Sequence, residues 1–354
     1  MAVKNYNVIG IMSGTSLDGI DIAYCKISNE NDNYCFELVK TETIPYSNSW
    51  INGLKKAFYQ SDEEIEKLSV DYGNYIGSTV YDFIERNKIF EIDFLASHGH
   101  TIFHNPKEGI TVQIGDGQSI CNKTGLKVVC DFRTQDVALG GQGAPLVPIG
   151  DKLFFNEYTY CLNLGGFANI SFEKKGERIA YDICPVNIVL NYFANELGLE
   201  YDNKGMIASK GLVHKQLLED LNALEYYTVS PPKSLGFEFV KQKVLPLISR
   251  YHLKPEDALR TFVEHIVIQI SKVLDNVKDS HVLITGGGAF NDFLINLLKE
   301  KTANKIVIPN TNLINYKEAL IFALLAVLKV ENNVNCLASV TGAKKDHSSG
   351  KIFL

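Results

Sequence analysis

At 354 residues the chain is too long for one ordinary core, so two domains are the natural expectation. Its 35 lysines and arginines against 41 aspartates and glutamates give a net charge of −6, which argues against a non-specific nucleic-acid binder, whose basic surface must displace counterions. Hydrophobic residues at 45% and charged residues at 21% are ordinary for a soluble protein, and no apolar run approaches the roughly 18–20 residues of a membrane span.

The start, Lys4-Asn5-Tyr6, moves straight into a strand and lacks a signal-peptide pattern. Seven scattered cysteines with no C-x-x-C pair support neither a disulfide framework nor a structural zinc site, and a reducing cytoplasm is the simplest compartment. Short apolar, β-branched and aromatic runs predict strands at Tyr6–Met12, Ile20–Ile27 and Cys35–Thr43. Helices follow over Ser47–Tyr59 and Asp62–Asn87; the second is announced by a capped acidic turn, Ser61-Asp62-Glu63-Glu64. Short strands recur at Phe94–Ser97, Thr111–Ile114 and Lys127–Cys130, then at Tyr158–Leu164, Ala168–Phe172 and Ile179–Asp182. The chain reads as mostly helical from Asn187 to Asn276, broken by Pro231-Pro232 and Pro255. A strand at Val282–Thr285, a helix over Asn291–Lys301 and an apolar helix over Lys317–Val330 complete it. Strands mixed with crossover helices give an α/β class. The 336–354 tail, with Lys344-Lys345-Asp346-His347, reads as a solvated end that could pack back on the first domain rather than as a site.

One echo links the halves. Val8–Ile22 reads strand, polar turn, strand, and Cys161–Phe172 reads strand, Gly-Gly turn, strand, which suggests two related domains facing a shared cleft. In the first turn, Gly10-Ile-Met-Ser-Gly-Thr-Ser-Leu-Asp-Gly-Ile-Asp21, glycines let successive N–H groups converge on an anion. Hydroxyls of Ser13, Thr15 and Ser16 add donors, and Asp18 could hold Mg2+ through water; the alternative is a plain hairpin. No Gly-Lys-Ser/Thr follows and no helix begins there, so the turn is not a Walker A loop. Gly165-Gly166 reads either as a second phosphate cradle or as a type I′ turn. Gly286-Gly287-Gly288, between a strand and a helix, suits either a planar ring such as adenine or close strand–helix packing.

Three histidines, His98, His100 and His104, would share one face of an extended strand, but no carboxylate adjoins them; hydrogen bonding to a polar substrate or ordinary strand-end packing is favoured over a metal. Arg133 suits a carboxylate, or an Arg–Asp pair bracing a domain junction. Asp182, at a strand end, reads as a general base or as a helix N-cap, the cap being the plainer choice from local sequence.

Met12-Ser-Gly-Thr-Ser-Leu-Asp-Gly-Ile-Asp21, Val112-Gln-Ile-Gly-Asp116, Asp131-Phe-Arg133, Ala138–Pro148, Asn163-Leu-Gly-Gly-Phe-Ala-Asn169, Pro232-Lys-Ser234 and Gly286–Gly288 together resemble the anhydro-N-acetylmuramic acid kinase family, collinearly from Ile9 to Gly342. The resemblance implies an actin-like fold of two ribonuclease-H-like domains around ATP, spanning 1–130 (with the 336–354 tail) and 131–335. It implies a cytoplasmic, homodimeric, ATP- and Mg2+-dependent kinase that opens the 1,6-anhydro bond with water and phosphorylates O6. Alternatives are a kinase for a different amino or anhydro sugar, or a non-catalytic nucleotide-binding paralogue; no nucleic acid or membrane is an expected partner.

By matching motif positions, Gly14, Thr15, Ser16, Leu17, Asp18, Gly19, Ile20 and Asp21 would hold the ATP phosphates, with Gly165 and Gly166 assisting, and Gly286, Gly287 and Gly288 would receive adenosine. Asp182 would activate the water, and His98, Arg133 and Glu318 would face the sugar. The chain departs from the family's Asp-Thr-Gly-Pro-Gly-Asn at Asp182-Ile-Cys-Pro-Val-Asn187, where Ile183, Cys184 and Val186 are expected to crowd the ligand side. It also carries Asn191 for an aspartate, His100 for a glutamine, Leu235 and Phe237 for a threonine and an arginine, and Thr134 and Gln135 for two arginines.

Overall fold

The structure, a computed structural model, describes residues 3–14, 17–277 and 279–354. Seven strands come first: β1 (Lys4–Met12), β2 (Gly19–Glu30), β3 (Asn33–Pro45), β4 (Phe94–Ser97), β5 (His100–Asn105), β6 (Ile110–Ile114) and β7 (Val128–Cys130). With them run α1 (Asn48–Ala57), α2 (Asp62–Asn87), α3 (Gly117–Thr124), α4 (Thr134–Ala138) and α5 (Pro148–Phe154). The expected capping box forms at α2: Ser61 N–H donates to Glu64 Oε2 at 2.8 Å while Ser61 Oγ accepts from Glu64 N–H.

The middle of the chain gives β8 (Tyr160–Leu164), β9 (Phe167–Lys174), β10 (Glu177–Pro185), β11 (His281–Thr285) and β12 (Lys305–Val307). Its helices are α6 (Asn187–Glu196), α7 (Lys215–Asn222), α8 (Phe237–Phe239), α9 (Leu245–Ser249), α10 (Pro255–Leu274) and α11 (Asp292–Lys301). Finally come α12 (Thr311–Val330), α13 (Ala338–Thr341) and β13 (Lys351–Phe353). No helix among the described residues is long and apolar enough to cross a membrane.

The chain divides into two compact units, Met1–Phe154 with Tyr316–Leu354, and Phe155–Asn315. In the first, β1, β2 and β3 form an antiparallel meander, and β4 and β7 extend it in parallel from β1, giving the order β3-β2-β1-β4-β7 with β13 at the far edge. The second repeats the plan: an antiparallel β8-β9-β10 meander continued in parallel by β11 and β12. The same 3-2-1-4-5 order in both units is the doubled α/β, ribonuclease-H-like architecture that the sequence echo foreshadows.

The observed boundaries differ from 130/131 and 335/336. Helix α12 is buried all round from Ala319 to Leu328 and packs on the first sheet. A Cβ on Gly10 of β1 would fall 1.9 Å from the Ala319 carbonyl oxygen, so strand and helix touch backbone to backbone. A Cβ on Gly150 of α5 would sit 2.5 Å from Ile321, which draws α5 into the same unit. The tail is not a solvated end either. β13 pairs antiparallel with β7, Ser349 Oγ donates to the Phe132 carbonyl at 2.7 Å, and Cys336, Thr341, His347 and Ser349 are buried.

Candidate active site

Met12 and Asp21 are the last pair of the β1–β2 hairpin, and the turn between the two strands carries Ser13, Gly14, Leu17 and Asp18 among the described residues. Thr15 and Ser16 lie outside the described residues. Leu17 adopts φ 59° and donates its N–H to the Gly14 carbonyl at 3.4 Å. Ile20 is fully buried in the core, and a Cβ on Gly19 would strike the Ile44 carbonyl at 2.4 Å; both residues therefore have only backbone to offer a ligand.

The base of the loop is fixed by Ser13, which sequence reading lists only as a hydroxyl donor. Its Oγ meets Tyr46 OH at 2.6 Å, Tyr72 OH at 2.8 Å and His100 Nδ1 at 3.0 Å, all buried. Asp21 accepts from Thr43 Oγ1. Burial, helped by the Asp18 charge, pushes the Asp21 carboxyl above its usual range.

His98 and Arg133 are in direct contact. Arg133 Nη2 lies 2.9 Å from His98 Nε2, and a guanidinium only donates, so Nε2 carries the lone pair. Gln113 Nε2 donates to the same atom at 3.2 Å. The ring proton is thereby on Nδ1, which donates to the Ser13 carbonyl at 3.1 Å. Burial and the Arg133 charge push His98 down to about 3, so the ring is neutral at physiological pH. Arg133 also donates through Nη1 to the Gly143 carbonyl at 2.6 Å, and its buried Nε has no hydrogen-bond partner among the described residues.

The Arg–Asp brace is not found: Asp131 pairs with Lys351 at 2.8 Å instead. Glu318, on α12, is exposed, yet dense surrounding protein pushes its carboxyl up, Arg133 and Lys317 pull it down, and Asp21 pushes it up again. Next to it, Lys317 Nζ is held by Asp151 at 2.6 Å in a buried ion pair. The structure thus gathers His98, Arg133, Glu318 and Asp21 in the first unit. His104 is exposed, and Gly99 at φ 72° interrupts the strand between His98 and His100, so the three histidines share no face. The group His98, His100 and His104 does not have metal-ligating geometry; among the described residues only Asp136, Cys336 and His347 do.

In the second unit Asp182 lies on β10 at a bulge between Asp182 and Cys184, not at a helix start: α6 begins at Asn187, capped by Val186 without a side-chain bond. Its Oδ2 accepts from Leu235 N–H at 2.8 Å, its N–H donates to the Lys233 carbonyl at 3.3 Å, and its carbonyl accepts from Tyr226 OH at 2.6 Å. Burial raises the Asp182 carboxyl above its usual range, against the lowering effect of the Leu235 amide. Lys233 caps Tyr226 from above, 4.5 Å from its ring centroid. Ile183, Cys184 and Val186 do not crowd a ligand side, because their side chains are buried in the hydrophobic core of this unit.

Neither Gly165 nor Gly166 has the positive φ of a type I′ turn. Gly165 already donates its N–H to the Phe167 carbonyl, and the carbonyls of both glycines accept from the start of α6. A Cβ on Gly166 would meet Ile188 Cβ at 3.8 Å, and one on Gly287 would meet Asn187 Nδ2 at 3.6 Å, both ordinary contacts, so neither glycine is required by packing. Gly286 and Gly288 serve packing: Gly286 has φ 81°, with Asn163 Oδ1 2.7 Å from its would-be Cβ, and Leu164 Cβ stands 2.7 Å from that of Gly288. A recess of about 490 Å3 lined by Ile44, Tyr75, Thr79, Asp82, Glu85 and Arg86 contains none of the residues singled out from the sequence.

A family model described as anhydro-N-acetylmuramic acid kinase matches residues 6–354. The chain belongs to the anhydro-N-acetylmuramic acid kinase family. It is 32% identical to an anhydro-N-acetylmuramic acid kinase of Caldanaerobacter subterraneus over 98% of this chain and 96% of that one. The enzyme of the same name from Francisella tularensis is 33% identical, covering 97% of each chain. Among solved structures, a ROK family glucokinase from Streptomyces griseus aligns over 90% of this chain and 98% of its own, at 10% identity and a TM-score of 0.41.

Proposed function

We propose that this chain is an ATP-dependent kinase that opens 1,6-anhydro-N-acetylmuramic acid with water and phosphorylates the freed O6, giving N-acetylmuramic acid 6-phosphate for the recycling of bacterial cell wall. The observation that carries the reading beyond family membership is the setting of Asp182. Its carboxylate is fixed through one oxygen by the Leu235 amide and has its proton affinity raised by burial. A base of that kind takes the proton of a water attacking the anomeric carbon more readily than an ordinary aspartate does.

Arg133, whose buried Nε has no hydrogen-bond partner among the described residues, and Glu318 supply charge and hydrogen bonds to the sugar, while neutral His98 holds Arg133 in place. ATP fits the residues present: the β1–β2 turn at Gly14 and Asp18 lies where the family motif places the phosphates, and Gly166 and Gly287, having no side chain, let backbone approach phosphate and adenosine closely. Mg2+, which neutralises phosphate charge when bound, fits Asp18, whose carboxylate is close enough to Asp21 to raise it and would hold the ion through water.

Ile183, Cys184 and Val186, the departures from the family motif beside Asp182, are buried in the core, which supports keeping this role with Asp182. All seven cysteines are free, in keeping with a cytoplasmic home, and a homodimer is the expected assembly. Incubation with Mg-ATP and a panel of amino and anhydro sugars tests the substrate. Turnover confined to 1,6-anhydro-N-acetylmuramic acid supports the reading; preference for another sugar, or ATP binding with no sugar-dependent turnover, refutes it.

A further inference from the structure

Asp136, Cys336 and His347 form a buried cluster that the kinase reading does not use. Asp136 lies on α4, and its fully buried carboxylate accepts from Thr341 Oγ1 at 2.7 Å, from Cys336 Sγ at 3.0 Å and from Gly143 N–H at 2.6 Å. Cys336 and His347 face each other across an isolated antiparallel bridge, their backbones exchanging hydrogen bonds of 3.1 and 3.2 Å. That pairing sets thiol and imidazole side by side over the carboxylate.

The imidazole poses a problem of electrostatics. His347 Nδ1 lies 3.1 Å from the Lys345 carbonyl, an acceptor, so Nδ1 carries a proton and, in the neutral ring, Nε2 presents a lone pair. That Nε2 is buried, has no hydrogen-bond partner among the described residues, and faces Asp136 Oδ1 at 3.6 Å. Two acceptors in a dry interior repel unless a cation, either a metal ion or a proton on Nε2, lies between them. A histidine oriented by a backbone carbonyl, with the other nitrogen free beside a thiol and a carboxylate, is the arrangement by which proteins hold soft or borderline divalent metals.

We propose that Asp136, Cys336 and His347 bind a divalent transition metal of the zinc class. The three ligand atoms all lie within 4.8 Å of one another, and a tetrahedral zinc site with bonds of about 2.0–2.3 Å needs ligand–ligand spacings of roughly 3.3–3.6 Å. Movements of a few tenths of an ångström to about one ångström therefore bring the three ligands into place, with water taking the fourth position. Binding forms a metal–thiolate bond in place of the Cys336 S–H···Asp136 hydrogen bond, and the thiol proton leaves to solvent. The exposed segment Lys344–Asp346 lies next to the cluster and gives a short route inward.

The metal would tie the C-terminal tail to α4 and to the turn whose Gly143 carbonyl holds Arg133. The inference stands apart from the kinase reading. Sequence spacing hides it, because Asp136 and Cys336 are 200 residues apart.

Full-length protein freed of metal is titrated with Co2+. The expected result is about one equivalent bound, with a sulfur-to-cobalt charge-transfer band and tetrahedral ligand-field absorption, both lost in Cys336→Ser and in His347→Gln, and a thermal midpoint raised several degrees by Zn2+ in the wild type only. A band that persists in Cys336→Ser, or no band in folded wild-type protein, overturns the proposal. So does nitrogen-resolved NMR showing His347 protonated on both ring nitrogens and unchanged by metal, since the cation beside Asp136 is then a proton.

Discussion

Arg133 and His98 meet at 2.9 Å with the guanidinium donating and the imidazole Nε2 accepting, which fixes the ring as the neutral Nδ1–H tautomer. One contact thereby joins two regions: Arg133 anchors the Gly143 turn, and His98 Nδ1 anchors the Ser13 carbonyl at the base of the β1–β2 tip. The sugar-side arginine and the phosphate-side loop share one chain of hydrogen bonds.

Arg133→Lys tests that chain. A lysine keeps the charge but cannot reach both Gly143 and His98 with a planar fork. Losing charged hydrogen bonds of about 1.5–3 kcal/mol lowers kcat/KM for the sugar by roughly 10–100-fold. Steady-state kinetics that leave kcat/KM within about twofold would contradict the role given to Arg133.

Asp182→Asn removes the base and leaves the Leu235 contact geometrically intact. Sugar-dependent turnover is expected to fall by roughly 10²–10⁴-fold while ATP affinity holds. In the wild type the base must be ionised, and burial raises its pKa, so activity is lost as pH falls through a value above the ordinary 3.8. A kcat/KM profile whose acid limb lies at or below that value argues against Asp182 as the base.

The buried pair Lys317–Asp151 holds the start of α12 to α5, one residue from Glu318. Asp151→Ala leaves an ammonium in the interior without its carboxylate, and the expected loss of stability is about 3–5 kcal/mol. Replacing both residues with apolar ones of similar volume recovers most of it. Thermal unfolding of the two variants decides, and equal loss in both would refute the explanation.

His265 on α10 is fully buried between Asn222 Oδ1 at 2.8 Å and Tyr227 OH at 2.9 Å, and burial pushes it down to about 3. The unfolded chain, with an ordinary value of 6.5, binds a proton that the folded chain refuses. The stability from neutral His265 is therefore complete above 6.5 and is lost as pH falls toward 3. His265→Gln should flatten the fall in thermal midpoint between about pH 6.5 and about pH 5, the single-proton contribution being up to about 1.4 kcal/mol per pH unit. An unchanged slope contradicts this.

Strand pattern and caps were legible from local chemistry: Phe94–Ser97 and Asp62–Asn87 fall where period and capping place them. The edges β12 and β13 were not: β7 is as short, but its Val128-Val129-Cys130 run is wholly apolar and buried, whereas β12 and β13 are partly exposed and owe their existence to a sheet edge already built. The tail misled because Lys344-Lys345-Asp346 is exposed while its neighbours Cys336, Thr341 and His347 are buried by contacts from residues near position 136. In the site, motif residues such as Arg133 and Asp182 were visible. The groups that orient them, namely the Gly143 carbonyl for Arg133 and Tyr226 and the Leu235 amide for Asp182, were not, because each arrives through tertiary packing. Ile183 and Cys184 looked obstructive in sequence, and only the strand register at the β10 bulge shows that they turn into the core.

The most direct test is ADP release from Mg-ATP with and without 1,6-anhydro-N-acetylmuramic acid, followed by the mass of the product. The account predicts sugar-dependent ADP and a product heavier than the sugar by one phosphoryl group and one water. ADP formed at the same rate without the sugar, or a product gaining phosphoryl without water, would contradict it.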